Sequence, residues 1–173
     1  MSKGIILYQS KYGATKKYAQ WLQEETGFDC IETKKANTEI LSDYDTIILG
    51  GGVYASGIAK LGFLKKNITH LKGKKVAVFA VGASPYDEKA LNQIREMHFK
   101  NELAGVPLFY CRGAFDEATM TFTDRTLCKM LKKAVAKKDP RTYEPWEEAI
   151  MSVNGESCDW TDKKQLKPIL EFI

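Results

Sequence analysis

Residues 6–22 read ILYQSKYGATKKYAQWL. The segment begins as an apolar run, ends as an amphipathic helix, and holds a knot of hydroxyls, a glycine and a lysine between the two. Taken from Gly4, the run GIILYQ (4–9) is nearly continuous in apolar residues. That pattern marks a strand buried on both faces of a parallel sheet. Tyr18, Trp21 and Leu22 then stand four, seven and eight residues after Ala14, which is the stripe of a helix packed on one side. Gly27 is placed to end it.

The same alternation continues along the chain. FDCIET (28–33) predicts a second strand, and YDTIILGGG (44–52) a third that runs into three glycines. Leu61, Leu64, Ile68 and Leu71 are spaced for one helix. KVAVFAVG (75–82) predicts strand four, DEKALNQIREMHF (87–99) a helix with acidic residues at its start, and VPLFYCRGAF (106–115) strand five. A basic helix follows, with Thr123 and Asp124 as its capping candidates. A polar stretch beyond Pro140 contains Pro145 and Trp146, and a last helix is expected from about Asp162 to the end. Five strands alternating with helices imply an α/β fold, a doubly wound parallel sheet with right-handed crossovers on both faces.

Composition narrows the function classes. The 173 residues are 44% hydrophobic and 28% charged, as expected for one globular domain with a core of its own. No apolar run reaches the roughly 18–20 residues that span a bilayer, and MSKG leads straight into the first strand, so no leader is expected. Cys30, Cys111, Cys128 and Cys158 are scattered without a CxxC pair, which suits reduced thiols in a cytoplasmic protein. With only His70 and His98 besides, no metal site is expected. The net charge is +4, and much of the excess lies in KMLKKAVAKK (129–138). That run reads as a solvated helix face or as a surface for an acidic partner. No aromatic interleaving points to nucleic acid. Trp21, Trp146 and Trp160 read as packing residues.

In doubly wound sheets, ligands bind beyond the carboxyl ends of the strands. The loops expected to carry chemistry are therefore 10–15, 50–57, 81–86 and 113–122. Residues 10–15 lie where the amides of a helix N-terminus converge and the helix dipole favours an anion. Ser10 and Thr15 add hydroxyls, and Gly13 allows a turn that a side chain would block. Lys16 and Lys17 stand in the first helical turn, where a bound phosphate would offset their unfavourable position. The pattern GxxxxGK[ST] is absent. GGGVYA (50–55) formally fits GxGxxA but follows the third strand, which weakens it as a dinucleotide fingerprint. A mononucleotide with a flat ring fits the remaining loops better.

SKYGAT (10–15) resembles the flavodoxin phosphate loop [ST]-x-[ST]-G-x-T, with Tyr12 in place of the usual small hydroxyl. ILGGGVYASG (48–57) resembles the second flavin loop. CRGAF, TDRTLCKMLKK and CDWTDKKQL extend the likeness over most of the chain. They are similar to the flavodoxin-like branch that includes the menaquinone-dependent protoporphyrinogen oxidases. The resemblance implies strand order 2-1-3-4-5, non-covalent FMN and one- or two-electron transfer. It places Ser10, Lys11, Tyr12, Gly13, Ala14 and Thr15 around the phosphate. Gly51, Gly52, Val53, Tyr54, Ala55, Ser56 and Gly57 would follow one side of the ring, with Tyr54 covering a face and Gly57 turning a peptide toward it. Val81, Gly82, Ala83, Ser84 and Tyr86 would border the other side. No catalytic acid or base is expected in these loops. The acceptor would be a quinone-like small molecule, giving an oxidoreductase. A pure electron carrier docking to a redox partner protein, with a peripheral membrane contact, is the alternative, and a flavin-less interaction module a third.

Overall fold

A computed structural model describes residues 2–55 and 57–173. Five parallel strands form its centre: β1 (Gly4–Gln9), β2 (Asp29–Glu32), β3 (Thr46–Tyr54), β5 (Lys75–Gly82) and β6 (Leu108–Arg112). Their order is β2-β1-β3-β5-β6, with the two-residue β4 (Gly57–Ile58) folding back antiparallel on the end of β3. Counting parallel strands alone, this is the expected 2-1-3-4-5. The register aligns Gln9 with Gly51 and Gly52 with Val81, so the carboxyl ends of β1, β3 and β5 finish side by side.

Alternation along the strands divides the core in two. Ile5, Leu7, Ile47, Leu49, Val78 and Ala80 face α2 (Leu61–Lys66) and α3 (Glu88–His98), meeting Leu61, Leu64, Leu91 and Ile94. Ile6, Tyr8, Ile48, Phe79 and Val81 face α1 (Ala14–Thr26) and α6 (Lys167–Phe172), meeting Tyr18, Leu22 and Ile169. Both layers exclude water, and burying each large aliphatic side chain contributes about 1.5–3 kcal/mol. Tyr18 is fully buried, and its hydroxyl has two partners. It donates to the Arg112 carbonyl at 2.6 Å and accepts from the Asp162 amide at 3.1 Å. Burial pushes its pKa up to about 12.

Several boundaries differ from the sequence reading. The helix expected over Leu61–Leu71 stops at Lys66 and continues as a 3₁₀ turn, Ile68–Leu71. Between the two, the buried Asn67 amide donates to the Phe63 carbonyl at 2.8 Å, while its oxygen accepts from Thr38 at 2.6 Å. An asparagine that bonds the preceding turn competes with helix continuation. Strand five is split. After β6, Gly113 donates its amide to the Gly82 carbonyl, and β7 (Ala114–Phe115) pairs antiparallel with β8 (Cys158–Asp159) in a separate ribbon. The basic helix α4 (Phe122–Val135) is capped by Thr121, whose hydroxyl accepts from the Asp124 amide, so neither Thr123 nor Asp124 is the cap. The polar stretch conceals α5 (Pro145–Ser152), opened by a proline and by the reciprocal capping of Glu144 and Glu147. The final helix is shorter than expected, since residues 163–166 form a 3₁₀ turn that Asp162 caps. Among the described residues, no helix is long and apolar enough to cross a membrane.

Candidate functional site

At the carboxyl ends of the strands lies a cavity of about 660 Å³, a size suited to a mononucleotide-sized ligand. The first loop, the end of β3, the end of β5 and the segment after β6 all contribute to its walls. Larger space exists along the outer edge of β6, near 920 Å³. It runs along the edge of the sheet, and of the loops that carry motifs only the 81–86 loop reaches it, through Tyr86.

The first loop is built to receive an anion. Ser10 Oγ accepts the Gly13 amide at 3.0 Å, folding the loop back on itself. Gly13 takes φ +102°, a left-handed conformation that a side chain would strain. The first intrahelical bond of α1 runs from the Lys17 amide to the Gly13 carbonyl, so the amides of Ala14, Thr15 and Lys16 have no helical acceptor. Thr15 is buried and lines the cavity, and its hydroxyl has no hydrogen-bond partner among the described residues. Gln9, the last residue of β1, also lines the cavity, and its Oε1 is buried without a hydrogen-bond partner among the described residues. A buried polar atom without a partner costs about 1–3 kcal/mol. The Thr15 hydroxyl and the free helix amides beside it form a polar cradle that a ligand could satisfy.

The lysines have other roles. Lys17 Nζ bonds Asp159 at 3.0 Å and Thr161 at 2.7 Å, and lies over the Trp21 ring. It ties α1 to the C-terminal segment and does not face the loop's centre. The Thr161 hydroxyl and amide, then Lys17, hold the Asp159 carboxyl down to about 2. Lys16 is exposed and makes no ion pair among the described residues.

Lys11 and Tyr12 point out of the loop toward α4. Lys11 Nζ lies 2.5 Å from Asp124 Oδ2, and the Tyr12 hydroxyl donates to the same oxygen. Tyr54 donates to the other oxygen of Asp124 at 3.3 Å. The Tyr12 hydroxyl also accepts the Thr121 amide at 3.3 Å. The Lys11 ammonium and then the Tyr12 phenol hold the Asp124 carboxyl below the usual carboxylate range. Tyr12 therefore carries a hydroxyl at this position of the loop but reaches α4 with it.

Of the three glycines ending β3, each meets a different neighbour. A Cβ on Gly50 would stand 2.1 Å from the Phe79 ring, and one on Gly51 would stand 2.4 Å from the Ala59 carbonyl oxygen. Both are needed for packing. Only Gly52 lines the cavity, with Thr15 Oγ1 and the Val81 carbonyl 3.9 Å from where its Cβ would lie. Val53 and Tyr54 line the cavity too, and Tyr54 is 55% exposed. Ala55 takes φ +47°, and Gly57 pairs with Tyr54 in the short ribbon with β4. Ser56 lies outside the described residues.

The third loop is divided. Val81, Gly82 and Ala83 line the cavity. The Ala83 carbonyl accepts from the Arg112 guanidinium at 3.0 Å and the Ser84 carbonyl from the Tyr110 hydroxyl at 2.6 Å, which anchors the loop to β6. Ser84 borders small clefts near Trp146 instead, and Tyr86 lies in the groove along β6 with its ring 6.4 Å from Tyr110. The structure thus brings together Ser10, Lys11, Tyr12, Ala14, Thr15, Gly52, Val53, Tyr54, Val81, Gly82 and Ala83, and leaves Gly13, Gly51, Ala55, Gly57, Ser84 and Tyr86 out of the cavity wall. Gln9, Ala59, Gly113, Ala114, Phe115 and Met120 complete the wall. Trp160 packs under the Arg112 guanidinium at 4.0 Å, in keeping with a packing role.

No curated protein sequence matches the chain. Among solved structures, a two-electron reduced flavodoxin of Megasphaera elsdenii is 22% identical, with 62% of this chain and 82% of that one covered and a TM-score of 0.46. The Trp repressor binding protein of Bacillus subtilis is 18% identical over 64% of this chain and 85% of that one, at a TM-score of 0.49. A Lactobacillus acidophilus flavoprotein in complex with FMN is 20% identical over 65% and 93%, at 0.41. The sequence model of the flavodoxin domain matches residues 5–142, well over half of the chain. The chain belongs to the flavodoxin-domain family.

Proposed function

We propose that this protein binds FMN and passes electrons from it to a quinone-like or other small acceptor, as an oxidoreductase close to the menaquinone-dependent protoporphyrinogen oxidase branch. The carrying observation is the Thr15 hydroxyl, without a hydrogen-bond partner among the described residues, beside the free amides of the first turn of α1 in a cavity at the strand ends. Thr15 and the amides of residues 14–16 would hold the phosphate, with Ser10 keeping the loop folded. Gly52, Val53, Tyr54 and the Val81–Ala83 backbone would border the ring. FMN, when bound, supplies the one- and two-electron chemistry, and the chain's own groups orient it, exclude water and set its potential. Among the described residues that line the cavity there is no histidine and no carboxylate pair.

A second reading, the electron carrier, draws on α4. Phe122 and Met130 are 83% and 63% exposed, and the exposed Lys129, Lys133 and Lys137 make no ion pair among the described residues. An apolar and basic outer face of this kind suits docking to an acidic protein or an anionic membrane surface.

The test is titration of the purified protein with FMN and riboflavin, followed by steady-state turnover of a soluble quinone with a reductant. Quenching of FMN fluorescence with 1:1 stoichiometry and quinone turnover is the expected result. FMN binding without turnover favours the carrier. A protein that ignores both flavins is an interaction module, and the flavin reading falls.

A further inference from the structure

The cluster of Lys11, Tyr12, Tyr54 and Asp124 joins three separate elements at the cavity. Residues 11 and 12 come from the first loop, Tyr54 from the end of β3 and Asp124 from the first turn of α4. The adjacent Arg125 faces the segment that precedes the helix. Its guanidinium donates to the carbonyls of Glu117 and Ala118 at 3.1 Å and of Met120 at 3.3 Å. Residues 113–121 therefore form a strap with two anchors. One end is pinned by the Gly113–Gly82 bond and by β7 pairing with β8. The other end is held to α4 by Arg125 and by Lys132, which pairs with Glu117, and among the described residues the Asp124 cluster ties α4's first turn to the loops across the cavity. Gly113, Ala114, Phe115 and Met120 of the strap form one wall of that cavity.

The cluster has the character of a clasp. Asp124 itself is 7% exposed, whereas Tyr12 and Tyr54 are 45% and 55% exposed. Charge-assisted bonds to one carboxylate are strong when made. The exposed arms lose little on release, because water replaces the carboxylate for each phenol and for the ammonium. Such a joint closes firmly and opens without unfolding anything.

We propose that Asp124 is a positioning residue: it pins the 113–121 strap and the first turn of α4 across the cavity mouth, and the clasp opens to admit or release the flavin ring. The inference rests on the flavin reading for its ligand, but the clasp itself is testable without one.

The experiment compares the parent with Asp124→Asn and Tyr12→Phe by stopped-flow quenching of FMN and of riboflavin fluorescence. Asparagine keeps an acceptor and loses the charge, while phenylalanine keeps the ring and loses one arm. Association and dissociation should both quicken, and equally for the two flavins. The expected size is about tenfold for Asp124→Asn, in line with the loss of a charge-assisted hydrogen bond, and smaller for Tyr12→Phe. Unchanged rates overturn the proposal. So does a change confined to FMN, which would make the cluster a device acting on phosphate charge alone. If the parent binds neither flavin, the flavin reading fails, and amide exchange of residues 113–121 decides the clasp by itself. Faster exchange in Asp124→Asn supports it, and unchanged protection overturns it. Should Asp124→Asn fail to fold, Tyr12→Phe carries both measurements.

Discussion

Thr15 shows how far one residue could be read before its neighbours were known. Its place in SKYGAT, at the head of a helix, marks it as a candidate phosphate donor, and the structure finds the residue buried in the cavity wall, its hydroxyl without a hydrogen-bond partner among the described residues. Its replacement by alanine should lower FMN affinity about 10- to 100-fold, the worth of a hydrogen bond to a charged group. Riboflavin, which lacks the phosphate, should bind the variant as it binds the parent. Equal losses in two parallel fluorescence titrations would show that Thr15 only shapes the loop. Gln9 and Asp124 gave no such signal. Gln9 reads as the last residue of a strand, and its importance lies in an oxygen without a partner, which no motif records. Asp124 reads as a helix cap, and its contacts with Lys11 and Tyr12 join residues more than a hundred positions apart. Tyr12 was visible as a departure from the family pattern, but the purpose of the departure was not.

The end of β3 carries the same lesson over a longer stretch. GGG was readable as a place where backbone must come close to something, and the parallel strands with their order follow from apolar runs and alternation alone. What the three glycines approach is set by tertiary packing: Phe79 for Gly50, Ala59 for Gly51 and the open cavity for Gly52. Substitutions should therefore separate stability from binding. Gly50→Ala drives a methyl into a buried ring and should cost about 1–3 kcal/mol, the usual penalty of overpacking, seen as a lower midpoint in urea denaturation. Gly52→Ala meets nothing closer than 3.9 Å, so its denaturation midpoint should stay near the parent's while its FMN affinity falls. A destabilised Gly52→Ala with parental affinity would place the ring elsewhere. The split of strand five and the shortened second helix were not readable, because both depend on single side-chain or backbone bonds, those of Asn67 and Gly113. Periodicity averages over such bonds.

Across the whole molecule, the excess of positive charge is not evenly useful. The run 129–138 was visible in the sequence as a block, and as a block it offered either a solvated face or a docking face. Structure divides it. Lys132 pairs with Glu117 and also bonds the Val153 carbonyl at 2.8 Å, and Lys138 pairs with the buried Glu147. These two lysines bind α4 to its surroundings, and removing them would test stability before docking. Lys129 and Lys133 remain on the outside of α4 and Lys137 just beyond its end, with Met130 and Phe122 exposed on the same helix. A surface of this composition meets an anionic partner first through charge, and the interaction between exposed charges fades beyond about 8 Å at physiological ionic strength. Sedimentation with vesicles of phosphatidylserine and phosphatidylcholine should then show binding that weakens steeply as salt is raised, and little binding to phosphatidylcholine alone. Replacing Lys129, Lys133 and Lys137 together by glutamine should abolish the salt-sensitive part while FMN affinity stays unchanged, since none of the three lines the cavity. Met130→Ser should weaken whatever binding persists at high salt, because that part depends on apolar contact with the lipid. Vesicle binding that is absent in the parent, or that survives the triple replacement intact, would leave α4's outer face without a membrane role and turn the search for its partner to acidic redox proteins.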